Sequence, residues 1–156
     1  MAGLQVETDV PFTDPLPCGA GECAVPLDIL APEGGDGMPT IVLLPGGPGA
    51  FDERRYLEAL ATDLAQRDAV VFLATYRSEA TGSSADTSTS DVRCAIRYAR
   101  SRTGEFGGDP AEELRLAGFE AEYVELEGID HFEIVDPGVT PEVVESILEM
   151  SETAGE

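Results

Sequence analysis

Apolar residues recur at two periods along this chain, and the switching between them lays out its elements. At residues 23–30 they fall at Val25, Leu27 and Ile29, a period of two that predicts a strand with one buried face. Residues 40–44 and 69–74 are continuous apolar runs, the pattern of parallel strands covered on both faces. Between them the period lengthens. Tyr56, Leu57, Leu60, Ala61 and Leu64 share one face of a helix predicted over residues 52–66. Val92, Ala95, Ile96 and Ala99 do the same for a helix over 91–102, preceded by a Ser/Thr-rich loop at 81–90. Glu33 to Gly37 reads as a turn, and a short strand is expected around residues 4–10.

Further on, Asp109, Pro110 and Glu112 form a helix start, with Asp as N-cap, Pro at the first position and Glu at the third. Residues 122–127 alternate, with Val124 and Leu126 on one side. Thr140 and Pro141 begin a last helix whose Val143, Val144, Ile147 and Leu148 share a face. Strands alternating with helices predict an α/β domain with a mainly parallel sheet flanked by helices. The expected organisation is an irregular N-terminal segment at 1–22, one domain at 23–150 and an acidic tail at 151–156.

Composition sharpens this picture. The 156 residues suffice for one domain with a modest core. No apolar run approaches a membrane span and no signal-peptide pattern opens the chain, so a cytoplasmic protein is expected. There are 31 acidic and 9 basic residues, a net charge of -22. All nine basic residues are Arg. Residues 105–156 hold 16 acids and one base, Arg115. Such a surface disfavours nucleic acid and anionic membrane. It reads either as a solvated acidic face or as halophilic adaptation to high salt, where repulsion is screened. Cys18 and Cys23 could pair but are expected as free thiols, and Cys94 as a small apolar packing residue. No metal or cofactor motif is present.

Two segments carry candidate chemistry. Pro45-Gly-Gly-Pro-Gly49 follows a strand and precedes a helix. There Gly46, Gly47 and Gly49 let backbone N–H groups approach a ligand and hold an oxyanion, or simply make a tight turn. His131 is the only histidine and lies between Asp130 and Phe132, after one strand and before a helix. A lone His is ordinarily structural or exposed. Working loops of such sheets lie at the carboxyl ends of strands, and both segments fall there, which favours a functional His131.

These blocks, with Thr75-Tyr76-Arg77, the segment from Asp91 to Tyr98 and Phe106-Gly-Gly-Asp-Pro110, resemble an α/β-hydrolase of the esterase/lipase type. Small esterases and feruloyl-esterase-like hydrolases are the nearest group. Residues 116–128 and Asp130-His131-Phe132 resemble that family's last strand and catalytic-histidine loop. The resemblance implies a shortened α/β-hydrolase-like fold, an oxyanion loop at Gly46, Gly47 and Gly49, a catalytic His131 and a small acyl ester as substrate.

The chain departs from the family in its middle. No Gly-x-Ser-x-Gly is present, so the nucleophile is unknown. Gly82-Ser-Ser-Ala-Asp86 lacks the second glycine and lies in a predicted loop, not a strand-to-helix turn. The family's His before the glycines is Pro45. Asp130 or Asp136 could orient His131, although neither matches the family's acid. Three expectations follow. One is a weak or inactive hydrolase that uses water with His131 as base. Another is a non-catalytic binding module, and the last an incomplete hydrolase fragment. Residues 122–127 are expected to pair parallel with residues 40–44. Otherwise an exposed sheet edge would favour a homodimer.

Overall fold

The computed structural model describes residues 3–46 and 51–109, together with Glu145. The expected strand at 122–127, the helices at 110–118 and after Thr140, and the His131 loop lie outside these residues.

Six strands and two α-helices are described: β1 (Leu4–Pro11), β2 (Leu16–Cys18), β3 (Gly21–Cys23), β4 (Pro26–Pro32), β5 (Thr40–Leu43), α1 (Glu58–Gln66), β6 (Val70–Ala74) and α2 (Ala85–Arg102). Short 3-10 turns at Phe51–Leu57, Glu79–Thr81 and Thr103–Phe106 join them. Four strands form one sheet in the order β1-β4-β6-β5, and β2 and β3 form a separate hairpin. The fold is α/β, as expected. The described sheet is mixed rather than mainly parallel: β5 runs parallel to β6, whereas β4 pairs antiparallel with both β6 and β1.

Period two along β6 sorts its side chains. Val70, Phe72 and Ala74 join Leu27, Ile29, Ala31, Ala95, Ala99 and Phe106 on the α2 side. Val71 and Leu73 join Leu57, Leu60, Ala61 and Leu64 on the α1 side. Both faces of β6 are therefore covered, as its continuous apolar run implies. Each fully buried Val, Leu, Ile or Phe among them stabilises the fold by about 1.5–3 kcal/mol, each alanine by less.

Four sequence expectations change. Strand β4 is covered on both faces, because Asp28 and Leu30 are buried opposite Leu27 and Ile29; an ion pair makes the burial of Asp28 tolerable. Tyr56 is 64% exposed, since the segment before α1 winds as a 3-10 turn and takes that ring off the buried face. Helix α2 begins at Ala85, so half of the expected Ser/Thr loop is helical. Ser84 caps it by accepting from the Thr87 N–H, and the Thr89 hydroxyl bonds back to the Ala85 carbonyl. Cys18 and Cys23 form a disulfide across the β2–β3 hairpin, because that hairpin brings their Cα atoms to 5.7 Å. Cys94 lies on α2, half-buried against the core.

Among the described residues no helix is long and apolar enough to cross a membrane.

Candidate active site

Strands β5 and β6 are parallel and in register from Thr40 opposite Val70 to Leu43 opposite Leu73, so their following loops leave the same sheet edge. Leu44, Pro45 and Gly46 extend β5, and Gly46 is exposed. Thr75, Tyr76 and Arg77 extend β6, with Thr75 and Arg77 buried.

The glycine-rich loop is anchored where it starts. The Tyr76 hydroxyl donates to the Pro45 carbonyl at 2.8 Å. Burial, aided by the negative Glu53, raises the Tyr76 phenol above its usual pKa, so it stays protonated and remains a donor.

The loop is anchored again just beyond its end. Arg54, 5% exposed, donates from Nε to Asp28 Oδ2 at 2.8 Å and from Nη2 to Asp28 Oδ1 at 3.3 Å. It also pairs with Asp9. The Asp9 N–H donates to Asp28 Oδ1 at 2.8 Å, from a residue held at φ 54° where β1 bulges. Burial works against the charged guanidinium, but its bonds to Asp28 and Asp9 outweigh this and raise its pKa. The described residues that flank residues 47–50, Pro45 before them and Arg54 after them, are thus each tied to the body of the fold.

A second polar centre lies beyond β6. Arg77 makes a bidentate pair with the buried Asp91, Nε to Oδ2 at 2.8 Å and Nη2 to Oδ1 at 2.7 Å. Its own N–H also donates to Asp91 Oδ2, at 2.9 Å. The third guanidinium nitrogen, Nη1, donates to the Pro17 carbonyl at 3.0 Å. Beside Arg77 opens a polar cavity of about 520 Å³, walled by Pro17, Cys18 and Gly19 on one side and by Gly82, Ser84 and Thr87 on the other. Gly46 is not among its lining residues.

Of the residues singled out in the sequence, Gly46 stands at the working edge of the sheet. Gly47, Gly49, His131, Asp130 and Asp136 lie outside the described residues. Ser84 is the exposed N-cap of α2, and Gly82, at φ 77°, closes the preceding 3-10 turn. That junction joins a turn to a helix and lacks the strand of a nucleophile elbow. The sequence reading passed over the Arg54–Asp28–Asp9 and Arg77–Asp91 clusters. Asp28, a carboxylate in the middle of an apolar strand, is the signal for the first, and both Arg77 and Asp91 stand in segments that carry the family resemblance.

No protein-family model and no curated protein matches the chain. Solved structures do. A truncated form of a carbohydrate esterase from gut microbiota superposes with a TM-score of 0.55 at 21% identity, over 69% of this chain and 36% of that one. A thermophilic esterase from the planctomycete Thermogutta terrifontis gives a TM-score of 0.53 at 22% identity, over 70% and 37%. An inhibited esterase B from Lactobacillus rhamnosis gives 0.50 at 18%, over 68% and 33%. The chain spans about a third of the length of these esterases. The likeness shows an α/β-hydrolase-like fold.

Proposed function

We propose that this chain is a shortened relative of the carboxylic-ester hydrolases that lacks serine acyl chemistry and retains, at most, weak water-dependent hydrolysis. The anchored glycine-rich loop carries this reading. The residues flanking it are tied down, Pro45 by Tyr76 and Arg54 by Asp28, on a fold that esterases share. In the proposed reaction His131 takes a proton from water as it attacks the ester carbonyl. Backbone N–H groups at Gly46, Gly47 and Gly49 stabilise the resulting oxyanion, and the proton passes to the departing alcohol. Because no Gly-x-Ser-x-Gly is present, no acyl-enzyme forms. The same missing nucleophile favours a second reading, a binding module that holds an acyl ligand at this loop without turning it over. Cytoplasmic residence and a homodimer through a sheet edge belong to the proposal, and the mass in solution tests the dimer.

The test uses a fluorophosphonate probe with intact-mass detection in molar salt, beside hydrolysis of a p-nitrophenyl ester. The expected result is no adduct, with slow hydrolysis that falls at least about tenfold in His131→Ala. A stoichiometric adduct would overturn the proposal by revealing a nucleophilic serine. No hydrolysis above buffer would leave only the binding module.

A further inference from the structure

We infer that the Cys18–Cys23 disulfide is a redox-sensitive latch that holds one wall of the polar cavity beside Arg77. The hairpin it closes has two three-residue strands and is not part of the main sheet. Paired strands this short do not persist alone in water, so what fixes them is the cross-link and their few ties to the body.

Those ties converge on the cavity. Leu16 packs against the α2-side core. The Pro17 carbonyl accepts from Arg77 Nη1, and Arg77 is itself immobilised by Asp91. The turn residue Gly19 sits directly on Gly82: a Cβ at Gly82 would come within 2.9 Å of the Gly19 Cα. Pro17, Cys18 and Gly19 thus form the cavity wall facing Gly82, Ser84 and Thr87. Both cysteines are only half-buried, so a reductant can reach the sulfurs.

The chemistry is exchange with a dithiol. One thiolate of the dithiol attacks a hairpin sulfur and gives a mixed disulfide, releasing the other cysteine as a thiolate. The second dithiol sulfur, as thiolate, then attacks the first within the mixed disulfide, closing the dithiol's own disulfide and expelling the remaining hairpin cysteine as a thiolate. The dithiol loses two electrons and becomes a disulfide, while Cys18 and Cys23 take up those electrons and two protons as thiols. Without the cross-link the hairpin leaves Gly82, the Pro17 carbonyl parts from Arg77, and the cavity loses that wall. The Arg77–Asp91 pair stays, because neither partner belongs to the hairpin. Such a device suits a reducing compartment, where persistent disulfides are rare and those present are commonly redox-responsive.

The experiment combines thiol alkylation with amide hydrogen exchange on the full chain, before and after dithiothreitol and after reoxidation. Before reduction only Cys94 should alkylate, and afterwards all three cysteines. Exchange at residues 16–23 and 81–87 should rise about tenfold on reduction and recover on reoxidation, with β6 and the second half of α2 unchanged. The double variant Cys18→Ser/Cys23→Ser should resemble the reduced protein whether or not dithiothreitol is added. Should that variant fail to fold, the wild-type redox cycle still decides. Alkylation of all three cysteines before reduction would overturn the inference. So would an exchange increase spread evenly over β6 and α2, or none at residues 81–87.

Discussion

Tyr76 is a small case in which burial and hydrogen bonding point the same way. Its hydroxyl serves the Pro45 carbonyl only while protonated, and burial beside Glu53 keeps it so. The folded state therefore binds this proton more tightly than the unfolded chain does. The sign follows by linkage: the contribution is complete below about pH 10 and is lost as pH rises through the elevated folded value. Tyr76→Phe should cost about 1 kcal/mol at neutral pH, the net worth of one hydrogen bond. In urea unfolding from pH 7 to 11 the gap between wild type and variant should close above about pH 10. A gap that stays constant to pH 11 would mean the phenol does not titrate with folding. Such contacts are barely legible in a sequence. Tyr76 stands in a recognisable Thr-Tyr-Arg segment, but nothing in the order of residues says that its partner is a carbonyl 31 positions away. Arg54 and Asp28 are likewise 26 apart and meet only because the fold brings the 3-10 turn before α1 beside β4.

Elements were more legible than contacts, and their errors have simple causes. Strand β6 stands out because a run buried on both faces has no polar interruption, whereas β5, with the same apolar pattern, is only half-buried at the edge of the described sheet. Strand β4 was half read: its Asp28 resembles a solvent-facing position until Arg54 is seen to neutralise it. The start of α2 departs from the expected loop because hydroxyl residues ordinarily favour loops, whereas here they cap the helix and bond back along it. The hairpin disulfide overturns the expectation of free thiols, because spacing alone leaves pairing open and only the hairpin brings the two cysteines together. At the outer edge, β1 carries a bulge and the acids Glu7 and Asp9, devices that discourage pairing with another sheet. The junction after α2 offers a test of close packing. Met38 N–H donates to the Gly107 carbonyl and Asp109 N–H to the Met38 carbonyl, laying the chain parallel to the segment that enters β5. Gly107 sits at φ 82°, and a Cβ there would overlap the Gly35 carbonyl. Gly34 has a similar φ of 74° with open space around it. Gly34→Ala should therefore cost only the left-handed conformation, about 1 kcal/mol. Gly107→Ala should cost about 2–3 kcal/mol, because backbone must also move. Equal losses in urea unfolding would refute the packing argument.

Over the whole molecule, charge sets the balance. The net charge of -22 is spread over 156 residues; among the described residues, Arg54–Asp28 and Arg77–Asp91 are close ion pairs. Those two are buried or nearly so and are little affected by salt. The remaining excess acts at longer range, where the Debye length falls from about 10 Å at 0.1 M to about 3 Å at 1 M. Self-repulsion penalises the compact state more than the expanded one, because folding brings like charges closer. Stability should therefore rise with sodium chloride by about 1–2 kcal/mol between 0.05 and 1 M, seen as a Tm increase of roughly 3–8 °C. The shape of the rise identifies its cause. Screening gives most of the gain at low salt and then saturates, whereas exclusion of ions from the protein surface keeps adding stability with concentration. Sucrose, which strengthens burial without screening charge, provides the control. If sucrose stabilised the protein while sodium chloride left the Tm unchanged, the acidic excess would be a solvated face without energetic consequence. A steep, saturating salt response would instead mark a chain whose composition presupposes a salty medium.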